Sequence, residues 1–269
     1  MKTNRQIQIM GIVNLTDDSY FAESRCKDES AAMRRIEHMV SEGADIIDLG
    51  ACSTRPGSIP VGADEEWRRL RPVLGHICTF FPDLRISVDT YHASVVEKVY
   101  DAIGEFIVND ISAGEDDPDM LPIVGRLGLE YIAMHKRGAP DTMQTMTDYS
   151  DVVEDVKTYF QTFAKRAAEA GIKDWTLDPG FGFAKTVQQN YDLLYKLDQL
   201  KIPYEGYVPK VLVGISRKSM IYKPLSISPE EALPATQVLH LAAVRKGADI
   251  LRVHDVKAVI ETLSLNLCN

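Results

Sequence analysis

Short apolar runs alternate with longer stretches of helical spacing along the whole chain. The runs are Ile7–Val13, Asp45–Leu49, Arg85–Val88, Glu105–Val108, Leu129–Ala133, Asp174–Leu177, Val211–Val213 and Asp249–Arg252. Runs this short and this apolar predict strands buried on both faces of a parallel sheet. Between them, Trp67, Leu70, Leu74 and Ile77 recur at offsets of three and four, which predicts a helix with one apolar stripe, capped by Asp64. Met33, Ile36, Met39 and Val40 predict another helix, and Val256, Val259, Ile260, Leu263 and Leu267 predict the last. Phe160, Phe163, Ala164, Ala167 and Ala168 mark a long helix that Gly171 would close as a C-cap.

Eight strands, seven of them clearly preceded by a helix, predict a parallel α/β fold, and eight units favour a closed (β/α)8 TIM barrel. An open doubly wound sheet is the alternative. Against it, Gly11 stands alone where a GxGxxG turn would follow the first strand. No Gly/Ser or Pro-rich linker interrupts the alternation, so residues 1–269 are expected to form a single domain of about the size, roughly 250 residues, typical of such barrels. The irregular stretch Gly138–Thr147 is a candidate mobile loop.

The net charge of -9 argues against a general binder of nucleic acid or anionic membranes, so any phosphate site must be a local cluster of cations and backbone N–H groups. The four cysteines are scattered, with no CxxC or Cys/His spacing, which makes a reducing compartment the default. No stretch reaches the roughly 18 apolar residues of a membrane span, and Met1–Gln8 is polar, so a cytoplasmic protein without a leader is expected.

The polar residues gather just after the strands: Asn14, Thr54–Arg55, Asp89, Asn109–Asp110, Met134–His135, Asp178, Arg217–Lys218 and Arg252–His254. In a barrel all eight strand ends open on one face, where such enzymes place their sites. Asp89, Asn109 and Asp178 form a carboxylate and amide set that would complement a ligand rich in N–H groups and ring acceptors. Taken alone, Asp89 is at least as well read as the cap of the next helix. Arg55, Arg217, Lys218, Arg252 and His254 form a cationic set suited to phosphate. Each by itself is ordinary surface charge; five at strand ends of an acidic protein point to an anion site. His38, His76, His92 and His240 lie on apparent helices and read as structural. No HExxH or other metal motif occurs, though Mg²⁺ held mostly by phosphate and water, with one oxygen from Asn14, needs no cage.

In order, the segments Met10-Gly11-Ile12-Val13-Asn14-Leu15-Thr16, Asp48-Leu49-Gly50 with Ser53-Thr54-Arg55-Pro56-Gly57, Ser87-Val88-Asp89-Thr90, Asn109-Asp110-Ile111, Met134-His135, Asp178-Pro179-Gly180-Phe181-Gly182-Phe183, Gly214-Ile215-Ser216-Arg217-Lys218-Ser219 and Arg252-Val253-His254-Asp255-Val256 resemble the dihydropteroate synthase family. The resemblance implies a (β/α)8 fold, a homodimer, Mg²⁺, sulfonamides as inhibitors, and condensation of 6-hydroxymethyl-dihydropterin pyrophosphate with p-aminobenzoate. It further implies that Asp89, Asn109, Asp178 and Lys218 hold the pterin, with Met134 against its ring and Gly214 beside it. Asn14, Arg55, Arg252 and His254 would serve pyrophosphate and Mg²⁺; Thr54, Phe183, Arg217 and Ser219 would face the aminobenzoate. Arg252, His254, Asp89 and Lys218 are the expected catalytic groups.

The chain departs from the family in its first loop, Thr16-Asp17-Asp18-Ser19-Tyr20, where Thr-Pro-Asp-Ser-Phe is usual. It also departs at Cys52, usually Glu, and in Lys136-Arg137 after Met134-His135. Two readings compete with the synthase: a pterin-binding corrinoid methyltransferase, which has no use for the Arg55/Arg252/His254 cluster, and a silent pterin-binding homologue, to which only the altered first loop points.

Overall fold

Eight parallel strands close on one another in chain order: β1 (Gln8–Asn14), β2 (Ile46–Gly50), β3 (Arg85–Asp89), β4 (Ile107–Asp110), β5 (Glu130–Met134), β6 (Trp175–Asp178), β7 (Lys210–Val213) and β8 (Ile250–Val253). The ring shuts where Gln8 of β1 pairs with Ile250 of β8, which rules out the open sheet. The computed structural model describes residues 7–16, 29–52, 61–138, 142–204 and 206–265. Around the barrel the described residues form α1 (Glu29–Glu42), α2 (Ala63–Phe80), α3 (Ala93–Ile103), α4 (Met120–Leu127), α5 (Val152–Glu169), α6 (Val187–Tyr195), α7 (Ser219–Leu225), α8 (Leu233–Arg245) and α9 (Val256–Leu265).

Strand parity makes the site. Successive side chains of a strand point to opposite faces, so in a barrel they alternate between interior and exterior. Met10, Ile46, Ile107, Ile132, Leu212 and Ile250 fill the interior as a separate apolar plug, while the larger core packs between strands and helices. The positions that continue the same parity toward the strand ends are Asn14, Asp48, Asn109, Met134, Gly214 and Arg252. Asp89 and Asp178 follow Ser87 and Thr176 in the same way. All of these polar groups belong to the strands themselves rather than to the loops, and Asn14, Asp89 and Asp178 are final strand residues.

Local chemistry fixes the helices. Leu70, Leu74 and Ile77 of α2 are buried as the spacing predicts, Trp67 is partly buried against the core and Val73 joins the stripe, but Asp64 does not cap the helix. Gly62 is the N-cap, and Asp64 lies in the first turn, where it accepts from Lys98 Nζ at 2.7 Å. In α5, Asp151 caps Val153 and Glu154; the C-cap is Ala170, one residue before the expected Gly171, which takes the positive φ of +80° just beyond it. Val256 and Val259 of α9 are buried, and Ile260 and Leu263 pack against the core, so that stripe serves the barrel; Leu267 lies outside the described residues. The described part of the expected mobile loop is tied down: Met143 is buried, and Thr147 accepts a hydrogen bond from Gln189 at 2.8 Å. Among the described residues no helix is long and apolar enough to cross a membrane.

Candidate active site

One half of the barrel mouth is an ion-paired network. Arg252 Nε donates to Asp48 Oδ2 at 2.7 Å, and Nη2 lies 2.6 Å from the same oxygen and 2.9 Å from Asp89 Oδ2. Asp48 also accepts from Ser87 Oγ at 2.6 Å and from Asn109 Nδ2 at 3.2 and 3.3 Å. Four strands are thereby joined through one buried carboxylate. Asn109 enters this network through its amide N–H. A side chain at Gly50 would meet Asn14 Oδ1 at 3.2 Å and Asp89 Cβ at 3.7 Å, so this glycine lets the two approach. Burial pushes the Asp89 carboxyl up to about 7 against the pull of Arg252, with Asp48 adding to the rise. Burial also works against the Arg252 charge, but Asp48 and Asp89 outweigh it and raise its pKa above the usual value. Asp89 caps no helix, since α3 starts from His92.

The other half is charged without a direct ion pair. Asp178, at the end of β6 and in register with Met134 of β5, accepts from Gly180 N at 2.8 Å. Lys218 Nζ donates to Phe181 O at 2.5 Å and stands 4.9 Å from the centre of the Phe183 ring. Burial raises the Asp178 pKa, with Lys218 opposing it, and burial lowers Lys218 to about 8, with Asp178 opposing that. Ser219 opens α7 directly after Lys218, and Gly214 lies beside Arg252, 3.9 Å from its Cβ to where a glycine side chain would begin.

The mouth therefore brings together Asn14, Asp89, Asn109, Met134, Asp178, Phe183, Gly214, Lys218, Ser219 and Arg252. Thr54, Arg55 and the altered first-loop residues Asp17 and Tyr20 lie outside the described residues. Two members of the cationic set differ from expectation. Arg217 is committed elsewhere, with Nε and Nη2 on Asp255 at 2.8 and 2.9 Å and Nη1 on the carbonyls of Pro229 and Glu230. It braces the turns after β7 and β8 instead of standing open to an anion. His254 is neutral, its pKa held down to about 3 by burial and then by Arg252, so it offers hydrogen bonds and no charge. Asp110 has the opposite parity to Asn109 and turns out of the mouth, accepting from Tyr131 Oη, Ser112 and Gly114.

Two residues were missed from the sequence. Asp48 is a carboxylate inside the apolar run Ile46-Ile47-Asp48-Leu49, on the parity of the interior plug, and that parity is the signal that marks it. Lys185 closes the β6 turn and carried no signal beyond following the Pro-Gly-Phe-Gly-Phe run.

A closed barrel with carboxylates, an amide and cations at one mouth defines the class, and a family model described as pterin binding enzyme matches residues 10–254. The chain belongs to the pterin-binding enzymes and, within them, to the dihydropteroate synthases. It is 40% identical over 261 residues to the dihydropteroate synthase of Haemophilus influenzae, covering 96% of this chain and 92% of that one. The Yersinia pestis dihydropteroate synthase, solved with a sulfonamide drug complex, superposes with a TM-score of 0.88 at 36% identity, covering 96% of this chain and 92% of that one. The Burkholderia cenocepacia dihydropteroate synthase, complexed with 7,8-dihydropteroate, gives 0.86 at 36% identity, covering 98% and 91%.

Proposed function

We propose that this barrel, acting as one domain over residues 1–269, condenses 6-hydroxymethyl-7,8-dihydropterin pyrophosphate with p-aminobenzoate, giving dihydropteroate and pyrophosphate in the cytoplasm. The observation that carries the reading is the convergence of Asp89, Asn109, Asp178 and Lys218 beside Arg252 at one mouth, in a chain built like the synthases that bind dihydropteroate and sulfonamides. The Asp178 carboxylate accepts from the pterin amino and ring N–H groups, the Asn109 carbonyl takes a further N–H, and Lys218 donates to the ring acceptors. Met134 lies under the ring.

No nucleophilic side chain is required. The bond from the exocyclic methylene to pyrophosphate breaks, leaving a cation delocalised over the pterin. The aryl amine then forms the C–N bond and loses a proton. Among the described residues Arg252 Nη1 makes no hydrogen bond, so its N–H groups remain for the leaving pyrophosphate, with Arg55 and the neutral His254 as further donors. Phe183 and Ser219 face the aminobenzoate with Thr54, which makes the same pocket the seat of sulfonamides. Arg217 contributes there through the turn it braces.

Magnesium would supply charge neutralisation on the leaving pyrophosphate. The donor set fits an ion held mainly by phosphate and water: Asn14 offers an amide oxygen, whereas Asp48 and Asp89 are engaged by Arg252. Among the described residues no group of three or more His, Cys, Asp or Glu side chains would hold a metal. A homodimer is favoured by the exposed apolar side chains Tyr195, Leu225 and Val238, which lie on α6, α7 and α8, with α6 packed against each of the other two.

The test is pyrophosphate release with Mg²⁺ and the pterin pyrophosphate, with and without p-aminobenzoate. Release coupled to dihydropteroate is expected. Tight pterin binding with no turnover would instead support the silent homologue.

A further inference from the structure

The turn after β6 contains a buried lysine that the condensation leaves unexplained. Lys185 is 5% exposed. Its ammonium donates to Nδ1 of His135 at 2.9 Å, to Phe183 O at 3.0 Å and to Gly180 O at 3.1 Å, with His135 O at 3.5 Å. Three N–H donors thus meet four acceptors drawn from two turns, those after β5 and after β6. His135 accepts because burial, then Lys185 and Arg137, keep its imidazole neutral. The turns touch backbone to backbone: Gly180 has φ +69°, and a side chain there would begin 1.9 Å from His135 O. Only glycine satisfies both the positive φ and the approach.

Burial pulls this amine down to about 7, with Asp178 opposing; a buried polar group is costly unless its hydrogen bonds are made, and an apolar residue could join two turns without that cost. What the ammonium fixes are atoms of the site. The segment it gathers donates Gly180 N–H to Asp178, presents Phe181 O to Lys218, and carries the Phe183 ring over which Lys218 stands. Asn190 completes the enclosure, accepting from Gly182 N at 2.7 Å and donating to Lys185 O at 3.3 Å.

We propose that Lys185 is a positioning residue for the condensation: by drawing the carbonyls of Gly180, Phe183 and His135 round one ammonium, it sets the Asp178 carboxylate and the Phe183 ring at the separation the two substrates require. The proposal rests on the assignment of Asp178 to the pterin and Phe183 to the aminobenzoate. Lys185 touches neither substrate; it acts through the turn.

The experiment compares full-length wild type, Lys185→Met, Lys185→Gln and Asp178→Ala. It measures the Kd of the pterin pyrophosphate without the amine, KM and kcat for p-aminobenzoate, and thermal melting. Positioning predicts that folded Lys185→Met and Lys185→Gln show at least tenfold increases in both Kd and KM. A tie that serves only the fold would lower Tm and the active fraction, and hence kcat, while Kd and KM stayed within twofold of wild type; that result overturns the proposal. Lys185→Gln retains an amide donor and carries the test if Lys185→Met does not fold. Loss of pterin binding in Asp178→Ala together with wild-type constants at Lys185 rejects Lys185 alone. Unchanged pterin binding in Asp178→Ala rejects the site assignment and the proposal with it.

Discussion

The two halves of the mouth hold charge in opposite ways. On the β2, β3, β4 and β8 side, Arg252 is bonded directly to Asp48 and Asp89, and Asp48 is bonded in turn to Ser87 and Asn109. On the β6 and β7 side, Asp178 and Lys218 bond to backbone groups and influence each other only through space. The first half is organised before any ligand arrives. The second leaves an acid and an ammonium with unused hydrogen-bonding capacity, where a heterocycle can complete them. Stability and binding should therefore separate across the mouth.

The largest expected effect tests that separation. Asp178→Ala and Lys218→Ala should abolish measurable pterin binding, because each removes a group whose polar partners the ligand completes. Arg252→Ala should slow pyrophosphate loss and also lower stability more than either, by about 3–5 kcal/mol, since it strands two carboxylates in a buried setting. Urea melts and pterin titrations on the three variants decide the matter. Equal loss of stability in all three would erase the distinction between the halves.

Much of this was legible in the chain, and what was not has physical causes. The alternation of runs gave the eight strands, and the order of polar strand ends gave the mouth. At β1, β3, β4 and β6 the strand runs past its predicted end because the final residues, Asn14, Asp89, Asp110 and Asp178, are polar, and a hydrophobic pattern stops where the site begins. Parity would have separated Asn109 from Asp110 and promoted Asp48, since a two-residue period decides which side chain faces inward. Arg217 was misplaced for a different reason. Its partners, Asp255 and the carbonyls of Pro229 and Glu230, come from distant turns, and no local pattern announces an ion pair spanning 38 positions. Lys185 was invisible because its acceptors are mostly backbone carbonyls, which every sequence has.

A second test uses pH. Asp89 titrates near 7 and Lys218 near 8, so binding that needs the carboxylate of one and the ammonium of the other is confined to a narrow bell. Pterin affinity should weaken by up to about tenfold per pH unit on either side. Asp89→Asn should flatten the acid limb. Stability carries a different signature. The Asp89 value is raised above that of the unfolded chain, so its contribution is present below about 4 and is lost as pH rises through 7. The Lys218 value is lowered, so the unfolded chain binds more protons between about 8 and 10.4, and stability from this group rises over that window while affinity falls. Affinity and melting temperature moving in the same direction above pH 8 would show that Lys218 is not the group being titrated.

The smallest effect lies behind the second half. His240 of α8 is fully buried, and neither ring nitrogen has a hydrogen-bond partner among the described residues. Burial lowers its pKa to about 4, with Asp255 opposing. It sits one helical turn from Thr236, whose hydroxyl accepts from the backbone N–H of Arg217 beside Lys218. An unsatisfied buried polar group costs about 1–3 kcal/mol, so His240→Leu should stabilise the protein, at about 2–4 °C in Tm per kcal/mol for a chain near this size. Because the folded value is depressed, the histidine's contribution holds above about 6.5 and is lost as pH falls through 4. The advantage of His240→Leu should therefore grow between pH 6.5 and 4, with pterin Kd unchanged at pH 7.5. A loss of stability at pH 7.5, accompanied by a weaker Kd, would mean that the imidazole anchors the Lys218 turn and that the second half is built as firmly as the first.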